Sequence, residues 1–424
     1  MKRLERGLTE IAVSLLFVIL AMVLFGVHEK KTEEKPVKKS DAGYSLKRET
    51  DQEMRGVWVA SVENLDYPAS PTVSAEELRA QADTVLDGVE RNGFNAVFLQ
   101  VRPCSDAFYP SKIYPWSRYL TGQQGTAPDA DFDPLEYWVS GAHKRGLELH
   151  AWINPYRIAR DPAEWESLAE GSPARQHPDW VVPYGEGYYF NPALPEVRQL
   201  VIDGVMEIAE NYQVDGIHLD DYFYPGADFN DGASYAALGT DYPDIGDWRR
   251  NNVNLLVSGL DTAIHDAKPD MEFGISPSGI WASSTMHPEG SATTSTFSSY
   301  FSLYADSRTW VREGWVDYIA PQLYWEIGHA KADFSALLSW WSGVAKEAEE
   351  KDVSLYVGLA DYKTVEAGED GNNPWYGGGE LARQMSACGA DEAVGGTIHF
   401  RYGLIAGSPA VQQVLGEAYL AEEK

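Results

Sequence analysis

From Met54 onward, short apolar runs alternate with longer stretches in which apolar residues recur at helical spacing. The runs predict strands at 55–60, 96–102, 148–154, 216–221, 272–277, 318–324, 354–359 and 397–401. The stretches between them predict helices near 75–91, 134–145, 196–211, 248–267, 297–313, 334–351 and 379–386, with a last helix at 409–419. Several of these helices run into a glycine-containing turn before the next strand, as in ERNGFNAVFLQV and HKRGLELHAWIN. Eight strands, each followed by a helix, predict a (β/α)8 TIM barrel over residues 53–424. A doubly wound open sheet is the alternative, but it would be shorter, and the chain has no glycine-rich nucleotide fingerprint. Neither a second domain nor a short internal repeat is visible.

The N-terminus breaks this alternation. Ile11 to Val27 form an uncharged apolar run, IAVSLLFVILAMVLFGV, that would span roughly 25 Å as a helix. Lys2, Arg3 and Arg6 precede it, and no clear small-residue cleavage site follows. The expectation is a cytoplasmic start at 1–10, a single-pass transmembrane signal anchor at 11–27 and a charged tether at 28–52. Secretion after signal cleavage is the alternative. Five lysines follow the run, so flanking charge does not orient it. The barrel is expected outside the cytoplasm because of the short basic start, the scarcity of cysteine and the resemblance described below.

Charge narrows the choice of partners. The chain has 34 basic and 64 acidic residues, a net charge of −30. Setting aside the first 40 residues, with eight basic and five acidic side chains, leaves a body of 26 against 59, or −33. Phosphate backbones would be repelled, which excludes a nucleic-acid binder, and anionic lipid would fare no better. Two cysteines, Cys104 and Cys388, make neither a disulfide framework nor a four-sulfur zinc site. No HExxH or paired-cysteine spacing is present, so no cofactor and no metal are expected. Asp129-x-Asp131-x-Asp133 resembles the opening of a calcium loop but lacks its glycine and closing glutamate, and is read as a cap for the helix at Pro134.

In a barrel of this kind chemistry sits at the C-terminal ends of the strands. Those ends are dense in polar and aromatic residues: LQVRPCSDAFYPS, HAWINPYR, GIHLDDYFYP, SPSGIW, APQLYWEIG, GLADYK and HFRYG. In Asp215-Gly-Ile-His-Leu-Asp-Asp-Tyr222, period-two alternation puts His218 and Asp220 on one face and Leu219 on the other. Asp220 at the barrel mouth suits a nucleophile or a charge stabiliser for an oxocarbenium-like transition state, with Asp221 beside it. A glycosidase needs a second carboxyl group, for which Glu326 is the first candidate, Asp361 the second and Asp106 the third. Each of these is also readable as a solvated loop acid. Candidate substrate contacts are Arg102, Asn154, Arg157, His218, Gln322 and Arg401, with Trp152, Tyr222, Trp281, Tyr324 and Trp325 as stacking faces, joined by Trp58. His150 and His399 are expected to face inward, where a structural role is as fitting as a catalytic one.

The segments MRGVWVAS, GFNAVFLQVRP, GLELHAWINPYR, DGIHLDDYFYP, FGISPSGIW, VDYIAPQLYW and GTIHFRYG, in this order over residues 54–408, resemble the glycosyl hydrolase-like family 10, formerly a domain of unknown function numbered 187. The resemblance implies a TIM-barrel glycoside hydrolase-like protein, often exported and anchored in bacteria. Some relatives are similar to enzymes that cut peptidoglycan strands once the stem peptides are gone. Of the site residues, it carries over only Asp220 with its neighbours His218 and Asp221.

The reading is therefore an extracytoplasmic glycoside hydrolase acting on a cell-wall polysaccharide, peptidoglycan glycan strands first, with Asp220 as nucleophile or base and Glu326 as proton donor. Two readings compete with it. One is a non-catalytic polysaccharide-binding barrel. The other is a metal-dependent deacetylase, which would need an ion held among His150, His218, Asp220 and His399.

Overall fold

A computed structural model of the chain describes residues 52–349 and 351–420. The expected cytoplasmic start, the anchor and all but the last residue of the tether lie outside these. Among the described residues no helix is long and apolar enough to cross a membrane.

The strands in chain order are β1 (Met54–Val59), β2 (Ala96–Arg102), β3 (Glu148–Ile153), β4 (Arg157–Ala159), β5 (Val181–Tyr184), β6 (Gly187–Phe190), β7 (Gly216–Leu219), β8 (Glu272–Ile275), β9 (Tyr318–Ile319), β10 (Ser354–Leu359) and β11 (Val394–His399). Eight of them close a parallel barrel in the order β1-β11-β10-β9-β8-β7-β3-β2, as the alternation predicted. β4, β5 and β6 form a separate antiparallel sheet, order β4-β6-β5, inserted between the third and fourth barrel strands. That sheet was not anticipated, because its strands are only three or four residues long and too short for a periodicity to register.

Alternation along the barrel strands divides the core in two. Val57, Val59, Leu99, Leu149, Ile217 and Leu219 point outward to the helices, while Trp58, Phe98, Trp152, Tyr318, Tyr356 and Ile398 fill the interior. β8 and β9 stop short of the predicted 277 and 324. Pro277 and Pro321 have no N–H to donate, and beyond them only isolated bridges through Gln322 continue the sheet. β11 begins three residues before the prediction, because its Gly395-Gly396 pair is part of the strand and not a turn. Gly396 has φ +143°, and a Cβ there would run into the backbone of Met54 on β1.

The helices at Ala75–Arg91 and Pro409–Tyr419 match their predicted bounds. Asp133 caps the helix Pro134–Lys144, accepting from the Glu136 amide at 3.2 Å, while Asp129 and Asp131 lie in a short 3-10 turn ahead of it. The helix expected at 297–313 is instead two short ones, Ser299–Ser302 and Ser307–Arg312. Tyr304 between them has φ +53°, and its hydroxyl accepts from Arg249 at 2.9 Å and donates to Ala227 O at 3.2 Å. Those long-range bonds offset the strained backbone, and local sequence does not report them.

Candidate active site

A cavity of about 490 Å³ opens at the C-terminal ends of the barrel strands. Its acidic side chains are Glu63, Asp220 and Asp221, its arginines Arg157 and Arg160, and Trp58, Trp152, Tyr222, Tyr324, Tyr362 and Phe400 supply aromatic surface. Gln100, Ser276 and Gln322 complete the polar lining.

Asp220 is buried immediately after β7 and is held from several sides. It accepts from Trp152 Nε1 at 3.0 Å, from the Tyr222 amide at 3.1 Å and from Asn154 Nδ2. Asn154 is in turn fixed by Gln100 Nε2 at 2.6 Å, and Gln100 also accepts from the Ser61 and Val62 amides. Thus β1, β2 and β3 all contribute to one carboxylate. Burial raises the Asp220 carboxyl, while Arg157 and the three donors oppose that rise. Asp221, half-buried, accepts from Gln322 Nε2 at 3.2 Å. Burial and the neighbouring Asp220 charge push it up to about 7. With three donors and the stronger pull of Arg157, Asp220 is the member of the pair that ionises first.

This places a stability cost on the site with a definite pH sign. The folded-state pKa of Asp221 lies above its ordinary value of 3.8, so folded protein binds the extra proton and stability falls as pH rises from about 4 through about 7. Asp221→Asn removes that loss. It should stabilise the fold most at pH 8, by on the order of 1–2 kcal/mol after screening at this half-buried site, and converge with wild type near pH 4. Thermal melts at the two pH values check it, and a gain that grows toward low pH would contradict the assignment.

Below the cavity a hydrogen-bonded column runs down the barrel axis. Trp58 Nε1 donates to His218 Nε2 at 3.2 Å, and the same nitrogen lies 2.9 Å from Ser276 Oγ. His218 Nδ1 and His150 Nδ1 both lie 3.1 Å from the Tyr318 hydroxyl. Burial, with His150 nearby, lowers the His218 pKa far below its usual value, so the ring is neutral and serves as floor.

The structure brings Asp220, Asp221, Trp152, Arg157, Tyr222, Gln322, Tyr324 and Trp58 to the cavity, with Asn154 and His218 directly behind. It does not bring the other expected residues there. Arg102 is buried on the outer side of β2, stacked 4.0 Å over Tyr114 and against Gly204 of the helix Pro195–Asn211. His399 also faces outward, bonded to Tyr419 at 2.9 Å and to buried Asp361 at 2.9 Å, so neither the histidine nor that acid reaches the mouth. Glu326 is half-buried outside the cavity lining, where its charge acts on Lys363. Trp281 stacks on Trp340 and donates to Asp306, Trp325 packs against the outer core, and Arg401 pairs with Asp66. Asp106 is buried in the loop after β2, and burial pushes it up to about 6. The deacetylase constellation is thereby corrected: His399 faces away, and both His218 nitrogens are engaged by protein groups.

Gln100, Ser276, Glu63, Arg160, Tyr362 and Phe400 were not foreseen. Gln100 and Phe400 were findable, since each sits at an inward-facing or strand-end position. Arg160 follows β4 of the unanticipated sheet and pairs with Glu63 and with Glu164 at 3.0 Å.

The sequence profile of the family described as "Glycosyl hydrolase-like 10" matches residues 53–376. The chain is 44% identical over 357 residues to "Glycosyl hydrolase YngK" of Bacillus subtilis, covering 83% of this chain and 68% of that protein. It is 37% identical over 388 residues to "Glycosyl hydrolase DigH" of Escherichia coli K12, covering 87% of each. Among solved structures, the glycoside hydrolase domain of PgaB (BpsB) from Bordetella bronchiseptica is similar with a TM-score of 0.54 at 14% identity, covering 86% of this chain and 98% of that one. The β-amylase catalytic domain of Paenibacillus polymyxa gives 0.54 at 12% identity, covering 88% and 99%. At such identities these two similarities speak for the fold alone.

Proposed function

The chain belongs to the glycosyl hydrolase-like 10 family and is a glycoside hydrolase, and on that premise we propose that it cleaves peptidoglycan glycan strands whose stem peptides have been removed. The observation that carries this reading is the Asp220–Asp221 pair in an aromatic-walled cavity that also holds Arg157 and Arg160. Flat aromatic faces suit sugar rings. A stripped strand bears a free carboxylate on every second sugar, which so acidic a protein would repel unless cations stood at the site. Arg157 commits Nε and Nη2 to the Pro103 carbonyl at 2.9 and 2.8 Å, which leaves Nη1 for such a group.

In this mechanism Asp220, charged and held by its donors, stabilises positive charge developing at the anomeric carbon. Asp221, which keeps its proton to about pH 7, gives it to the departing oxygen as the glycosidic bond breaks, and water then adds to the anomeric carbon and returns a proton to Asp221. That role replaces the one expected of Glu326. Turnover should accordingly fall about tenfold per pH unit above roughly 7, and a pH profile of kcat checks this. A rate that climbs through pH 8 would remove Asp221 from the donor role.

The apolar run at 11–27 belongs to the same proposal, as the anchor that keeps the barrel outside the cytoplasm beside its polymer. The central test incubates the purified full-length chain in detergent with peptide-bearing and peptide-stripped strands and identifies products by mass spectrometry. Saccharides should leave the stripped strands at least about tenfold faster, since Arg157 loses its partner carboxylate when a peptide caps it. Equal rates on both polymers would defeat the arginine argument. Tight binding without products would favour a polysaccharide-binding barrel.

A further inference from the structure

The lower end of the axial column carries a second constellation, at the opposite mouth of the barrel from the cavity. Glu148 and Glu272 are the first residues of β3 and β8, and His150 lies two positions after Glu148 on the same inward face. One ligand atom from each of the three can be chosen so that all lie within 4.8 Å of one another. His150 is fully buried, and its Nε2 makes no hydrogen bond. That nitrogen points between the two carboxylates, 3.5 Å from Glu148 Oε2 and 3.8 Å from Glu272 Oε2. A buried ring nitrogen aimed at two acids, too far from either for a good hydrogen bond, is a donor set awaiting a small cation.

We propose that Glu148, His150 and Glu272 form a binding site for one divalent cation of the zinc type at the N-terminal mouth of the barrel. One imidazole nitrogen with two carboxylate oxygens is the ligand chemistry of zinc and its neighbours, not of magnesium or calcium, which take oxygen alone. Ligands at about 2.0–2.2 Å from such an ion stand roughly 3.4 Å apart when tetrahedral, close to the two histidine–carboxylate separations of 3.5 and 3.8 Å. The second shell is also in place. His150 Nδ1 meets the Tyr318 hydroxyl at 3.1 Å, which fixes the ring with Nε2 toward the acids. The register aligns His150 with Gly216 and Gly216 with Glu272, and a Cβ at Gly216 would overlap the His150 ring. The glycine therefore clears the space that the histidine occupies. An ion there would tie β3 to β8 across β7, at the end of the barrel remote from Asp220, and would act as a staple with no part in the hydrolytic step.

The test uses tag-free full-length protein, dialysed against a chelator and reloaded with Zn²⁺. Elemental mass spectrometry should find about one ion per chain, with a melting-temperature rise of roughly 5 °C under saturating metal. Co²⁺ in its place should give a visible absorption band. Glu272→Gln is the main variant, because its side chain is 38% exposed and tolerates change. It should weaken Zn²⁺ binding at least about tenfold, and Glu148→Gln should do the same. Asp220→Asn should bind as wild type does. Fewer than about 0.2 ions per chain, or affinity unchanged in both glutamine variants, would overturn the proposal. Neither result bears on the hydrolase reading, because no step of that reaction passes through this end.

Discussion

Asp220→Asn should lower saccharide release by at least about 10³-fold, or ~4 kcal/mol of transition-state stabilisation, while leaving the fold intact. Asparagine has almost the same shape, so the groups around it need not move. What it loses is the negative charge that faces the forming oxocarbenium ion in a buried site, where charge counts for more than in water. Trp152 Nε1, Asn154 Nδ2 and the Tyr222 amide all donate to Asp220. The amide can serve only some of them, a cost of about 1–2 kcal/mol that relief of the buried charge offsets. The melting temperature should therefore stay within about 3 °C of wild type. Initial rates on stripped strands, together with a thermal melt, separate the two effects. A variant that retains a tenth of wild-type turnover would remove Asp220 from the chemistry.

The largest stability effect is expected outside the cavity, at Arg249. Its guanidinium pairs with Asp231 through Nε at 3.1 and 3.2 Å and through Nη2, and donates to the Ala227 carbonyl at 2.7 Å and the Phe229 carbonyl at 2.6 Å. Both charged residues are almost completely buried. One side chain of the helix Ile245–Ala267 thus closes the loop that begins at Asp221. Arg249→Ala leaves the buried Asp231 carboxylate without its guanidinium and removes one of the donors to each carbonyl, so it should destabilise by about 3–5 kcal/mol. For a barrel of this size that is roughly 5 °C in melting temperature. Arg249→Lys keeps the charge but not the planar fork and should recover only part of the loss. Denaturant midpoints of the three proteins check the ordering. A loss below about 1 kcal/mol for the alanine variant would mean that water replaces the guanidinium and the loop does not depend on it.

Much of the fold is legible in the chain because barrel strands are strongly marked. β2 and β10 are mostly apolar runs flanked by turns, and their bounds match the prediction. Where prediction and structure part, the cause is a contact distant in sequence. Tyr304 takes a left-handed backbone to reach Ala227, and β4–β6 exist because three short segments meet. The candidate site divides in the same way. Alternation along β7 correctly put His218 and Asp220 on the inner face, since period two is a local property of a strand. The same rule could not show that Arg102 and His399 point outward. A register shift after Gln100 turns Arg102, and the unpredicted start of β11 places Ile398, not His399, inside.

By itself, then, the sequence determined the order of strands and helices, the closed barrel, the acidic body and the residue types gathered at one mouth, because each follows from local periodicity or composition. Tertiary structure decided which acids converge. Asp221 joins Asp220, while Glu326 and Asp361 are drawn into other packing. It also decided that Arg160 enters the cavity from a sheet too short to read, and that Glu148, His150 and Glu272 meet at the far end of the axis. The physical reason is that convergence of side chains depends on loop paths and strand register. Those are fixed by contacts among residues tens to hundreds of positions apart, which leave no periodic trace in the chain.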